Sequence, residues 1–276
     1  MAVLSVDLAF RRWSDLGIVV LERVPAAQAG YQINCEIIPS IGSAFNSEVE
    51  PGPVDPNVLA GRINHFCGVR NIRVILLDGP QAWKSRFNGL EHARVSERQL
   101  NTAAKTGLPG MVKPVTYRAF AEFCMNVYEA LCRRGWSRMN TQPRPCASDG
   151  QPGGDVNDRR RILVESYPHA AWRSLGIKPL PSKRRARVSD LAEAYGALRS
   201  LFPITTNRAP NHDQLQAIVG GLPGLDLEER NTAAIRVVGK PPCSEEGQWR
   251  EGFIVLPQPP ARERDVAEPT GLRWLN

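Results

Sequence analysis

The chain has 276 residues, a formal net charge of +7, a pI near 9.3 and 42% hydrophobic residues. That length suits one large domain or two small ones, and that composition excludes a wholly disordered chain. No apolar run approaches the roughly 20 residues of a membrane-spanning helix, so no membrane partner is expected.

Residues 3–10, 15–22 and 31–38 read as three strands with short links, an antiparallel meander. A Pro/Gly-rich stretch (Pro51, Gly52, Pro53, Pro56) precedes a helix over 57–67. Val74-Ile75-Leu76-Leu77 reads as a strand buried on both faces, and strand, helix, strand implies a parallel crossover. Residues 83–114 form a long excursion. A helix over 117–134 carries Phe120, Phe123, Cys124, Val127 and Leu131 on one face. Residues 140–157 are rich in Pro, Gly and polar residues and read as a loop. A strand follows at Ile162-Leu163-Val164-Glu165. Helices fit 168–175, 190–201 and 213–221, the last with Asn211 or His212 near its cap. Gly252-Phe253-Ile254-Val255-Leu256 is a short apolar segment. Meander, helix, strand, helix, strand, helix is the order of the ribonuclease H-like fold, an α/β architecture whose mixed five-stranded sheet carries helices on both faces. The expected organisation is one such domain over 1–256, with insertions near 83–114 and 139–158, and a C-terminal tail over 257–276. Actin-like ATPases share this order, but they carry two copies and glycine phosphate loops. No G-x-x-x-x-G-K-[ST] loop occurs here, which argues against a small-molecule phosphotransferase.

Three apolar strands end in acids, at Asp7, Asp78 and Glu165. In open sheets, sites gather beyond the carboxyl ends of parallel strands. Clustered carboxylates repel, and one tends to take up a proton. Hard divalent cations such as Mg²⁺ or Mn²⁺ relieve this, and two such ions can activate water and stabilise a leaving oxygen on a phosphodiester. A fourth carboxylate is expected from the last helix, at Asp213. Each acid also has a purely structural reading. Asp7 could cap a turn or pair with Arg11 or Arg12. Asp78-Gly79-Pro80 is ordinary turn chemistry. Glu165 could pair with a nearby arginine, and Asp213 suits the first turn of a helix.

Basic runs at Arg159-Arg160-Arg161 and Lys183-Arg184-Arg185-Ala186-Arg187 make Arg160 and Arg184 candidate nucleic-acid contacts, or else solvated loops. The cysteines Cys35, Cys67, Cys124, Cys132, Cys146 and Cys243 form no C-x-x-C pair. The opening residues meet an acid at once and carry no basic leader, so a cytoplasmic protein with free thiols is expected.

Several segments resemble the domain of unknown function 429 family, described as predicted ribonuclease H-like nucleases. They are Ser5-Val6-Asp7-Leu8-Ala9, Leu77-Asp78-Gly79-Pro80, the run from Arg94 to Leu100, the run from Val164 to Trp172, His212 to Leu222, and Gly252 to Pro257. The segments follow the family's order over almost the whole chain. The resemblance implies Asp7, Asp78 and Glu165 as metal ligands, with Arg94 and Arg98 supporting them or contacting phosphate. Arg94 and Arg98 could instead flank Glu97 on a helix, His169 could be a polar residue at a helix start, and Trp172 could be core. One departure stands out. The family's last helix has an acid where this chain has Gln216, and Asp213, three residues earlier on the same face, could supply the charge. The expectation is a metal-dependent nuclease, or a non-catalytic nucleic-acid-binding protein on the same fold.

Overall fold

Four consecutive apolar residues need cover on both sides, and the fold supplies it by setting them mid-sheet between two helical layers. The computed structural model describes residues 1–26, 30–39, 52–140 and 160–260. The central strands are β1 (Ala2–Asp7), β2 (Gly17–Pro25), β3 (Tyr31–Ile37), β4 (Val74–Asp78) and, later in the chain, β8 (Ile162–Ser166). They stand in the order β3-β2-β1-β4-β8. β1 pairs in parallel with β4 and β4 with β8, while β2 runs antiparallel to both neighbours. This is the ribonuclease H-like arrangement expected from the order of elements. Cys146 and most of the 139–158 insertion lie outside the described residues, as does the tail from residue 261.

The sheet is wider than the expected five strands. β9 (Ile204–Thr206) adds beyond β3, and β7 (Ser137–Arg138) pairs with β8. A long hairpin of β10 (Ile235–Glu245) and β11 (Gln248–Pro257) extends the other side, with β11 parallel to β8. The apolar segment at 252–256 is the inner half of β11. Its partner β10 carries Pro241 and Pro242, which lack ladder N–H groups, and the register shifts between Lys240 and Cys243 to accommodate them. The 83–114 excursion holds α2 (Val95–Leu100) and a small ribbon of β5 (Lys105–Thr106) and β6 (Val112–Lys113).

Alternation along each strand divides the core in two. Leu4, Val6, Ile75, Leu77 and Leu163 face α1 (Pro56–Arg70) and α3 (Arg118–Cys132), packing with Ile63, Phe66, Phe123 and Val127. Val3, Leu76 and Val164 face α4 (Pro168–Ser174), α5 (Val188–Leu201) and α6 (His212–Glu228), packing with Trp172, Leu198, Leu215 and Ile218. α1 starts where the Asp55 carboxylate accepts from the N–H groups of Asn57 and Val58, with Pro56 in its first turn, and it ends at Asn71 in the left-handed region. α6 starts with a reciprocal cap: Asn211 accepts from the Gln214 amide, and Gln214 accepts from the Asn211 amide, each at 2.9 Å.

α6 continues seven residues beyond the expected end at 221, through Pro223, because its glycines let it lie directly on the sheet. A Cβ at Gly221 would sit 2.7 Å from the Ser5 Cβ, and one at Gly224 would sit 2.3 Å from the Leu76 side chain. Burial along this face outweighs the poor helix propensity of glycine and proline. Among the described residues, no helix is long and apolar enough to cross a membrane, and the five described cysteines are all free thiols.

Candidate active site

β1 and β4 end on the same rung: Asp7 pairs with Asp78 in register. Both lie on the α6 face, which they share with Val3, Ser5, Val74 and Leu76 at the two-residue period of a strand. Gly79 makes the turn after Asp78 with φ of 142°, against α3, where a Cβ would meet the Cys124 sulfur at 2.4 Å. The two carboxyl groups lie within reach of each other, so that a proton can be shared between them. Each side chain is only half-buried, yet the surrounding protein strips enough water to push both acids up. For Asp7, desolvation leads and the charges of Asp78 and Asp213 add to it. For Asp78, desolvation leads and the Glu165 charge adds, while the proton shared with Asp7 opposes; the result is about 7. The pair is short of positive charge.

Glu165 stands one position earlier on its strand. It is in register with Leu77, while Ser166 is in register with Asp78. Alternation therefore turns Ser166 toward α6, where a Cβ at Gly220 would lie 3.1 Å from its hydroxyl, and turns Glu165 to the opposite face. There Arg94 donates through both terminal nitrogens to both Glu165 oxygens, at 2.7 and 2.6 Å, and the Gln81 amide donates at 3.1 Å. The Arg94 Nε donates to Glu97 at 3.1 Å and to Thr106 at 3.0 Å. Glu97 also accepts from the amides of Arg94 and Thr106. Burial pushes Glu165 up, and Arg94 and the Gln81 N–H pull it back; the two carboxylates in turn raise Arg94 despite its burial. Arg94 is 1% exposed and Glu97 3%, so this is an interior charge network.

Asp213, in the first turn of α6, is close enough to raise Asp7. Its position is set by contact between backbones: a Cβ at Gly17, the rung partner of Asp7, would lie 2.2 Å from the Asp213 carbonyl oxygen. Lys183 forms an ion pair with Asp213 and reaches Asp15 at 3.0 Å. The His212 ring nitrogens lie 3.1 Å from Asp213 and 3.0 Å from the Pro181 carbonyl. Gln216 accepts a 2.8 Å bond from the indole N–H of Trp172, which is fully buried.

The structure thus brings Asp7, Asp78 and Asp213 toward one another and ties Glu165 to Arg94. Among the described residues, no three His, Cys, Asp or Glu side chains meet as a ready metal cage. Arg98 is exposed on α2. Arg184 is exposed in the turn beside Lys183, on the Asp213 side. Arg160 precedes β8, at the end of the sheet away from the acids. Two participants went unassigned in the sequence: Lys183, visible only as part of a basic run, and Glu97, visible only as the acid between two arginines. A cavity of about 520 Å³ opens beside Asp78, with Arg94, Glu97 and Glu165 also on its lining.

No family model matches the chain, and no curated protein matches it. Among solved structures it is similar to Thermus thermophilus RuvC, with 12% identity and a TM-score of 0.37 over 87% of this chain and 99% of that one. It is also similar to T. thermophilus RuvC in complex with a Holliday junction substrate, with 13% identity and a TM-score of 0.35 over the same shares. Identity this low and superposition this loose leave function to be read from the site's own residues.

Proposed function

We propose that this protein is a metal-dependent phosphodiesterase acting on nucleic acid, of ribonuclease H-like type. The observation that carries the reading is the Asp7–Asp78 pair: two carboxyl groups on one rung at the carboxyl edge of the sheet, both pushed up by desolvation and by neighbouring acids. Hard oxygen donors of this kind suit Mg²⁺ or Mn²⁺. Asp7 and Asp78 would hold the ion, with Asp213 contributing charge from α6. The donor set fits one ion as it stands. A second ion, as in the two-metal scheme, requires Glu165 to leave Arg94. A bound divalent ion supplies Lewis-acid chemistry, polarising a phosphoryl oxygen and easing loss of a proton from water. Lys183 holds the Asp213 carboxylate in place and, being half-exposed, offers a cation to phosphate; Arg184 continues that basic rim. A reducing, cytoplasmic setting suits the free thiols.

The test is calorimetric titration with Mn²⁺ of wild type and Asp78→Asn, followed by cleavage of a labelled oligonucleotide. Wild type should bind the ion and cleave, and the variant should lose binding and at least about a hundredfold in rate. Equal cleavage by both would end the assignment. A second reading is a non-catalytic nucleic-acid-binding protein. It is favoured by the engagement of Glu165 with Arg94, Asp213 with Lys183 and Gln216 with Trp172. It predicts salt-sensitive oligonucleotide binding with no metal-dependent turnover.

A further inference from the structure

Asp78 forms one wall of the cavity, and the acid pair leaves the aromatic and amide side chains of its lining without a role. We propose that this cavity receives one unpaired nucleotide of a nucleic-acid strand, which makes single strands the substrate. Its placement at the reacting phosphate rests on the nuclease reading above.

The first argument is size. About 520 Å³ falls within the roughly 300–1,000 Å³ of pockets that take a small molecule. It admits a base with its sugar and not a base pair within a duplex. The second argument is the walls. Tyr117 and Phe120 line one side from the start of α3, and Tyr167 and His169 line another from the start of α4. Tyr167 and His169 have ring centroids 5.9 Å apart and tilted by 43°, so they are not stacked in parallel on each other. Unpaired bases are held by stacking on such rings. Asn101 adds an amide, a donor and acceptor for a base edge.

The third argument is charge. The floor holds the Glu165 and Glu97 carboxylates, and the single Arg94 guanidinium bonded to both offsets one of their two charges. Arg173 lies four residues after His169 on α4 and is exposed, which places a cation at the mouth for phosphate. Asp78, which has no such cation, forms the boundary between the cavity and the acid pair. A strand with its base in the cavity presents a neighbouring phosphodiester at Asp78.

The test is binding by the full chain of short oligonucleotides carrying 2-aminopurine, in EDTA, so that turnover is not needed. The single strand should bind at least about tenfold more tightly than a blunt duplex of the same sequence, with the 2-aminopurine emission quenched by stacking. Tyr117→Ala and Arg173→Ala change exposed side chains and should leave the thermal melt unchanged. Each should weaken single-strand binding roughly tenfold, and Tyr117→Phe should retain it. Equal affinity for single strand and duplex, or no loss in either alanine variant, overturns the proposal. So does adenosine monophosphate binding as tightly as the oligonucleotide, which would make the cavity a mononucleotide site. The two readings separate in an Mn²⁺ cleavage assay. Duplex cleaved as fast as single strand removes this inference and leaves the nuclease. The expected binding pattern with no cleavage removes the nuclease and leaves the cavity's assignment.

Discussion

Asp78 ends β4 while Glu165 stands one position before the end of the adjacent parallel β8, and that single position gives them opposite surroundings. Asp78 meets another acid; Glu165 meets a guanidinium. Removing the guanidinium strands two interior carboxylates, Glu165 and Glu97, because both are almost fully buried. Arg94→Met should therefore cost about 3–5 kcal/mol in urea unfolding. Adding Glu165→Gln to Arg94→Met should restore part of that loss, since one of the uncompensated charges is then gone. An unchanged midpoint in the single variant would mean that the network does not hold the fold. This division between the acids was only half legible in the sequence. The strand Val74–Asp78 was readable because a contiguous apolar run signals a strand covered on both faces. The partner of Glu165 was not, because Arg94 lies 71 residues away and reaches it through the tertiary fold.

At the scale of elements, α6 couples the site to the sheet. Its glycines remove the side chains that would hold it off β1, β2 and β4, and its first turn rests on Gly17. Gly17→Ala places a methyl against the Asp213 carbonyl, backbone against backbone, with no flexible group to yield. The variant should lose about 1–3 kcal/mol of stability and weaken Mn²⁺ affinity as Asp213 shifts; a melt matching wild type would contradict the close approach. The same glycines explain why the sequence pattern stopped this helix at 221: read locally, Gly220-Gly221 and Pro223 are stop signals, and only the sheet beneath makes them assets. β10 was invisible for a related reason. It is a largely exposed edge strand interrupted by two prolines, so it lacks both the apolar run and the clean alternation by which a strand announces itself.

For the whole molecule, the acid pair sets the direction of pH dependence. Asp7 and Asp78 have pKa values above those of the unfolded chain, so the native state holds protons that the unfolded state releases. Stability from this source is full below about pH 4 and declines as pH rises toward about 7, where Asp78 titrates in the fold. Asp15 and Glu245 are lowered and act in the other sense, but only in the acid range below their ordinary values. In EDTA the Tm should fall by a few degrees from pH 5 to pH 8. Mn²⁺ should raise it more at pH 8 than at pH 5, and Asp78→Asn should flatten both responses. A Tm that rises across this range without metal would contradict the uncompensated pair.

Among the described residues the main path of the sheet ends in β9 on one side and β10 on the other, and each end is ill-suited to pairing for a different reason. β9 is only three residues long, too short to template a second sheet. On the far side, Pro241 and Pro242 break the row of donors along β10, and α2 packs against the strand, with Gln99 accepting from the Gly239 amide. The doublet that hid this strand from sequence pattern thus removes two of the backbone donors that edge-to-edge pairing with a second sheet would need.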